Sequence, residues 1–166
     1  YPVPGLMEHE AGTLMAWVSP DWDDWDVAGE PPFHTLLSAI QQDGKCGLKV
    51  WDYHWFRCDV NGKELTHPVR AAWLRGDWWH VAVTWEKNGW IRFYLNGALC
   101  SRGFGYHPPE PMLKAAPEFR NVQRLLVGTA DDWSAPLRAN AAFDELKIYK
   151  RSLSEAFGFS MELLVP

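Results

Sequence analysis

The stretch GDWWHVAVTWEKNGWIRFYLNG, residues 76–97, alternates apolar and other side chains with a period of two, as half-buried strands do. One face takes Trp79, Val81, Val83 and Trp85 from the first strand and Ile91, Phe93 and Leu95 from the second. Between the strands, Lys87-Asn88-Gly89 predicts a turn, and Asn96-Gly97 predicts a second tight turn because both residues tolerate positive φ angles. Two hairpins in succession predict an antiparallel meander.

The same residues carry a family resemblance. GDWWHVAVTW followed by IRFYLNG resembles the central hairpin of laminin-G-like domains, within the concanavalin A-like jelly-roll group. GTLMAWVSP at 12–20 is similar to that family's early strand, with Trp17 as its buried tryptophan, and FDELKIYKRSLS at 143–154 is similar to its closing strand and turn. The resemblance implies one all-β domain over 1–166, an antiparallel two-sheet β-sandwich. It implies less about activity, since the family holds polysaccharide-binding modules, adhesion domains and spacers appended to enzymes.

Composition agrees with one globular domain. The 166 residues are 47% hydrophobic and 22% charged, which is unlike a disordered chain, and no apolar run approaches the ~20 residues that a membrane span needs. The net charge of -5, with no run of Lys or Arg, argues against a nucleic-acid partner. Because the chain begins at Tyr1 rather than Met, we expect that it was cut from a larger extracellular or cell-surface protein with other domains.

Turn signals at short intervals predict a series of short strands. They fall at 12–18, 33–40, 46–51, 55–60, 123–128 and 142–149, with a last strand at 159–165. A capped helical turn is predicted at 152–157, and long loops at 20–32 and 104–117. Many short strands with few helices favour a sandwich or a barrel.

The three cysteines, Cys46, Cys58 and Cys100, form at most one disulfide. Cys46 and Cys58 flank a predicted hairpin, so a bond across it is one interpretation. The other is that all three are small apolar fillers of the core, since free cysteine is among the most buried residue types.

Catalytic motifs are absent from the sequence. A glycosidase needs two carboxyl groups facing one bond, and no E-x-D-x-x-E pattern occurs; the adjacent Asp144 and Glu145 would point to opposite faces of a strand. The six histidines never pair at metal-ligand spacing, and no G-x-S-x-G turn marks a nucleophile. We expect no enzymatic activity, with a polysaccharide lyase or hydrolase as the third alternative. For His80, which matches a position where the family often has histidine, we expect a structural role.

Eleven tryptophans favour carbohydrate binding, because the C–H faces of sugar rings stack on aromatic rings. Parity in the two hairpins predicts an outer set of aromatic and arginine residues: Trp51, Trp55, Arg57, Trp90, Arg92 and Tyr94. We predict that these six form one face for a polysaccharide, and that the arginines suit an anionic one. The prediction requires both hairpins to lie in one sheet. In the alternative, Trp90 and Tyr94 support cross-strand packing or are covered by the Pro-rich loop.

A second aromatic patch is predicted at the loop edge, from Trp22, Trp25 and Trp133 among several aspartates. The run DWDDWD at 21–26 offers Asp24 and Asp26 as oxygen ligands for Ca²⁺, although a solvated acidic turn is the more common origin of such a run. The resemblance implies that Asp144 serves a structural calcium or ties the termini together. We expect no required cofactor, with Ca²⁺ at Asp144 as the candidate ion.

The remaining assigned tryptophans, Trp17, Trp78, Trp79 and Trp85, are predicted to lie in the core. The sequence thus predicts a non-catalytic carbohydrate-binding module of laminin-G-like fold. A protein–protein adhesion or spacer domain is the alternative.

Overall fold

A computed structural model of the chain describes residues 2, 5, 7, 10–22, 34–44, 46–53, 55–60, 63–66, 74–86, 90–99, 113–114, 122–129 and 139–153. At positions 51–53, 55–56, 60, 63–66, 90 and 113–114 only the backbone is described. These residues form eleven strands and no helix. Within them, therefore, no helix has the length and apolarity to cross a membrane.

The strands form two antiparallel sheets. The six-stranded sheet has the order β11 (Ala141–Tyr149), β1 (Gly12–Pro20), β6 (Trp79–Trp85), β7 (Trp90–Leu95) and β8 (Ala98–Leu99), with β9 (Leu113–Lys114) also paired to β7. The five-stranded sheet has the order β10 (Val122–Val127), β2 (His34–Gln41), β3 (Cys46–Tyr53), β4 (Trp55–Val60) and β5 (Lys63–Thr66). The predicted all-β, two-sheet architecture is confirmed.

The core lies between the two sheets, because one cluster of buried side chains draws on both of them. From the opening stretch, the cluster takes the predicted inward set: Val81, Val83, Trp85, Ile91, Phe93 and Leu95, with the partly buried Trp79 packed against it. Leu48, Val50 and Cys58 contribute from the other sheet. Period-two alternation therefore predicted the inner faces of both hairpins.

Gly12 makes room for the largest buried side chain. It pairs with Trp85 across β1 and β6, and a Cβ at Gly12 would lie 2.6 and 2.7 Å from ring atoms of that tryptophan. Only glycine fits there, so the first residue of the predicted GTLMAW strand is fixed by packing.

Trp17 does not lie in the core, and its predicted burial there is wrong. Leu14, Ala16 and Val18 turn inward from β1, which places Trp17 on the outer face, where it is half-buried. Its ring contacts His80 edge to face, with ring centroids 5.2 Å apart.

The two described cysteines differ from each other. Cys58 is a buried core residue, as the filler interpretation predicts, but Cys46 is exposed, and both are free thiols. The register between β2 and β3 shifts between Cys46 and Leu48, which separates Cys46 from the inward alternation of Leu48 and Val50. Cys100 lies outside the described residues.

Two short strands, β5 and β9, were not predicted, whereas β8 follows the Asn96-Gly97 turn as the predicted meander requires. Most of the predicted loops and helical turn, and the whole of the predicted strand at 159–165, lie outside the described residues.

Candidate functional site

The two predicted binding hairpins belong to different sheets. β3 and β4 lie in the five-stranded sheet, whereas β7 lies in the six-stranded one. Since the sheets face each other across the core, their outer faces point in opposite directions. The prediction of one continuous face is therefore wrong, and the six predicted residues divide into two sets of three.

The first set shares the outer face of the five-stranded sheet. Trp51 pairs with Arg57 across β3 and β4, and Tyr53 pairs with Trp55, so all four positions have the same parity. That parity is outer, because Val50 and Cys58, which pair between them, are fully buried in the core. Three aromatic positions and one arginine thus occupy one end of a single hairpin face.

This face is closed at β2 and more open at β4. Thr35, opposite Trp51, and Ser38, opposite Lys49, are buried, whereas Lys49, Arg57 and Asp59 are half-buried. Lys49 and Asp59 also pair across the hairpin, so the face carries charge of both signs.

The second set lies on the outer face of the six-stranded sheet, and that face is closed. Tyr94 pairs with the buried Ala82 and is itself only 4% exposed, so its ring offers no surface for stacking. Tyr94 does lie on the outer face, as its parity predicted, but it is not exposed there. The alternative interpretation, in which Tyr94 supports cross-strand packing, fits its burial. Trp90 occupies the first position of β7, where only the backbone is described.

Arg92 is held by an ion pair. Its guanidinium contacts the Glu86 carboxylate, and the two side chains are 20% and 25% exposed. The hydroxyl of Ser152 lies 3.5 Å from the same carboxylate. An arginine engaged in this way is poorly placed to bind a glycan carboxylate.

The segment after β11 lies against this face at Thr13. The Thr13 hydroxyl donates a hydrogen bond to the Arg151 carbonyl and accepts one from the Leu153 amide, each at 2.9 Å. A residue next to Leu153 in the chain, Ser152, also reaches Glu86. The residues after β11 therefore help to cover the outer face of the six-stranded sheet.

His80 lies on the same face and has a structural environment. Its amide donates to Asn96 Oδ1 at 2.7 Å, its carbonyl accepts from the Asn96 amide at 2.8 Å, and the residue is buried. Burial lowers the pKa of the imidazole below its ordinary value; the nearby Lys147 lowers it further, while Glu145 opposes the shift. These contacts fit the structural role predicted for His80.

The predicted loop-edge patch is described only at Trp22. That ring is half-buried, packs against the core and stacks on His34 with centroids 3.8 Å apart and planes 10° apart. One face of Trp22 is thus occupied. Trp25, Trp133, Asp24 and Asp26 lie outside the described residues.

Asp144, the predicted calcium ligand, is exposed at a bulge in β11. Its Oδ1 accepts a hydrogen bond from the Glu145 amide at 2.7 Å, and Glu145 has a positive φ of 49°. Glu145 in turn pairs with Lys147 at 2.8 Å. In the described part of the chain, no group of three or more His, Cys, Asp or Glu side chains is placed to hold a metal ion.

Trp78, which directly precedes β6, is a further aromatic residue that the sequence interpretation placed wrongly. Predicted to be buried, it is 48% exposed, and Leu74, four residues earlier, is also 48% exposed. Adjacent residues of a strand face opposite sides, so the inward Trp79 requires its neighbour to face outward. That rule, applied to the Trp78-Trp79 pair, could have predicted the outward direction of Trp78 but not its exposure.

The chain's family follows from comparison with known families. A laminin-G family model, described as the concanavalin A-like lectin/glucanases superfamily, matches residues 2–156. The chain belongs to this family. A search of curated proteins finds no match.

Solved structures share the fold of this laminin-G family member at low sequence identity. Trypanosoma rangeli sialidase in complex with sialic acid has a TM-score of 0.61 and 16% identity over 92% of this chain. Domain 4 of the Geobacillus stearothermophilus arabinanase AbnA, in complex with arabinotriose, has a TM-score of 0.59 and 17% identity over 95% of this chain and 69% of that one. The binding domain of botulinum neurotoxin serotype D has a TM-score of 0.55 and 15% identity, over 95% of this chain and 38% of that one. The chain spans about a fifth of the sialidase, 22% of its length. Identities this low show the shared fold alone.

Proposed function

We propose that this chain is a non-catalytic carbohydrate-binding module that holds a polysaccharide against the outer face of the β3–β4 hairpin. The observation that carries the proposal is the register, which puts Trp51 opposite Arg57 and Tyr53 opposite Trp55 on one outer face. Aromatic rings beside a planar cation suit a sugar, since the rings stack on its C–H faces and the guanidinium binds its polar groups. Two structures of the same fold were solved with a sugar, sialic acid and arabinotriose.

An anionic polysaccharide is the ligand that this face favours. Arg57 can bind a carboxylate or sulfate through two parallel hydrogen bonds, while Lys49 on the same face lies opposite Asp59. Polysaccharides that carry such groups are abundant at cell surfaces. The proposal therefore has the module act outside the cell, attached to other domains of a larger protein.

Four of the described carboxylates are already engaged by other groups. Glu86 is paired with Arg92, Glu145 with Lys147, and Asp21 with Arg75, while Asp144 accepts a backbone hydrogen bond. Acid–base catalysis of glycoside cleavage needs two carboxyl groups facing one bond, so an engaged carboxylate is a poor candidate for that role.

A glycan array with and without EDTA tests the proposal. We expect retention of an anionic polysaccharide by the parent protein, and roughly tenfold weaker binding by Trp51→Ala and by Trp55→Ala, as the loss of an aromatic stacking surface implies. Thermal melts of both variants provide the folding control.

Three results would count against the proposal. Silence across the array favours the adhesion or spacer function, and unchanged affinity in both tryptophan variants moves the site elsewhere. Release of reducing ends from any bound polysaccharide would mean that the domain is catalytic. The EDTA arm separately tests the calcium prediction, since a loss of binding that Asp144→Asn reproduces would assign the ion to that residue.

A further inference from the structure

A turn at the rim of the sandwich presents the exposed apolar side chains of Leu74 and Trp78. In the described part of the chain the exposed large hydrophobic residues are these two and Leu99 of β8. Two of the three therefore lie within one five-residue segment. We call the pair, Leu74 and Trp78, the rim patch.

Backbone hydrogen bonds close the rim turn and attach it to β1. The Asp77 amide donates to the Leu74 carbonyl at 3.1 Å, and Gly76 has a φ of 85°, the positive value that the third position of a type II turn requires. The Gly76 amide donates to the carbonyl of Pro20, the last residue of β1, at 3.0 Å. The turn is thus fastened to the end of a central strand.

Neighbouring segments brace the turn from a second side. Asp21 lies 3.6 Å from Arg75, and its amide donates to the Asn140 carbonyl at 2.9 Å. The end of β1, the rim turn and the start of β11 therefore meet at one place. A ligand that binds there meets a preformed surface and loses little free energy in ordering it.

The charges around the rim patch indicate the class of ligand. Arg75 is already paired with Asp21, and Asp77 adds a negative charge. An anionic sugar would therefore have to compete with Asp21 for the guanidinium of Arg75. A neutral sugar ring fits better, because its C–H face can stack on the indole of Trp78 while its hydroxyls donate to the carboxylate of the adjacent Asp77.

We propose that the rim patch is a second carbohydrate site, one that takes a neutral sugar ring on the exposed face of Trp78. This proposal rests on the proposed function, because it assumes that the ligand is a carbohydrate. The rim patch lies apart from the β3–β4 face, however, and it prefers a neutral sugar rather than an anionic one. The two sites together would let the module hold a mixed polysaccharide at its anionic units and at its neutral ones.

The test measures the affinity of the parent and three variants for a neutral probe, arabinotriose, and for the anionic polysaccharide found on the array. Trp78→Ala should weaken arabinotriose binding roughly tenfold and leave the anionic ligand unaffected. Trp78→Phe keeps an aromatic face and should retain most of the affinity. The matched control is Leu99→Ala, which removes an exposed apolar residue elsewhere and should change neither.

The outcomes separate the two proposals. If a folded Trp78→Ala variant binds arabinotriose as tightly as the parent, the rim site alone is overturned. The same conclusion follows if the parent binds only the anionic polysaccharide. A parent that binds neither probe overturns both. If the parent self-associates, Trp78→Ala abolishes that association and no sugar binds at the rim patch, the patch is a protein contact and the rim site is overturned.

Discussion

The outer faces of the two sheets have the same kind of sequence but different surroundings. Each alternates aromatic and arginine positions on a hairpin, yet on the six-stranded sheet Tyr94 is buried and Arg92 is paired with Glu86. On the five-stranded sheet Arg57 is half-buried as well, as are Lys49 and Asp59 on the same face. The comparison teaches that alternation assigns a side chain to a face, whereas distant chain segments decide whether that face meets water.

The largest expected effect tests the core packing between β1 and β6, which fixes the side chains that face inward and therefore those left on the outer face. Gly12→Ala would force a methyl group into the ring of Trp85, which is fully buried, so we expect a loss of about 3 kcal/mol in the free energy of unfolding. Urea denaturation measures it. Gly44→Ala is the control, because a Cβ there meets nothing and only its φ of 82° costs about 1 kcal/mol. Equal losses in both variants would contradict the packing account.

The next effect concerns the cover of the six-stranded sheet. Thr13→Val removes the two hydrogen bonds to Arg151 and Leu153, so we expect about 2 kcal/mol of destabilisation. Thr84, which pairs with Thr13 and is equally buried, is the matched control, because its hydroxyl has no hydrogen-bond partner among the described residues.

Thr84→Val should accordingly be neutral or stabilising by up to about 1 kcal/mol. Chemical denaturation of the two variants side by side gives the difference. Similar losses in both would mean that the contacts of 151–153 do not hold the outer face closed.

A pair of arginine variants compares the two faces in function. Arg57→Ala should weaken binding of an anionic polysaccharide about tenfold, the effect of losing one charge-assisted contact. Arg92→Ala should leave the affinity unchanged, because its guanidinium is engaged with Glu86. Isothermal titration calorimetry measures both affinities. A larger loss in Arg92→Ala than in Arg57→Ala would reverse the assignment of the faces.

The smallest expected effect is a pH dependence from His80. Burial lowers its pKa in the folded state, so the unfolded chain takes up the proton first as the pH falls. The stability that depends on neutral His80 is present above about pH 6.5 and is lost as the pH drops below it. Urea unfolding of the parent and of His80→Gln at pH 7.5 and 5.5 should show a steeper loss in the parent. Identical pH dependence would mean that His80 is open to solvent.

Much of the fold could be predicted from local sequence, because strands and their inner faces depend on alternation between neighbours. Trp85, Phe93 and Cys58 were placed correctly for that reason. The sheet to which each hairpin belongs was not predictable in this way, since it depends on pairing between distant strands such as β1 and β6.

The candidate site was predicted less well than the fold. The exposure of Tyr94 depends on what covers its face, and no local pattern reports it. The outward direction of Trp78 was predictable from the inward parity of Trp79, but its 48% exposure, like the burial of Tyr94, was not. The two aromatic positions Trp51 and Trp55 remain a prediction, supported by register.

The central claim is that the glycan lies on the β3–β4 face rather than on the β7 face. A ¹H–¹⁵N NMR titration with the anionic polysaccharide, following indole and arginine Nε–H signals assigned by single substitutions, tests it most directly. The account predicts that the signals of Trp51, Trp55 and Arg57 shift with a common affinity while that of Arg92 does not. Shifts of Arg92 and Trp90 with Trp51 and Trp55 unmoved would contradict it.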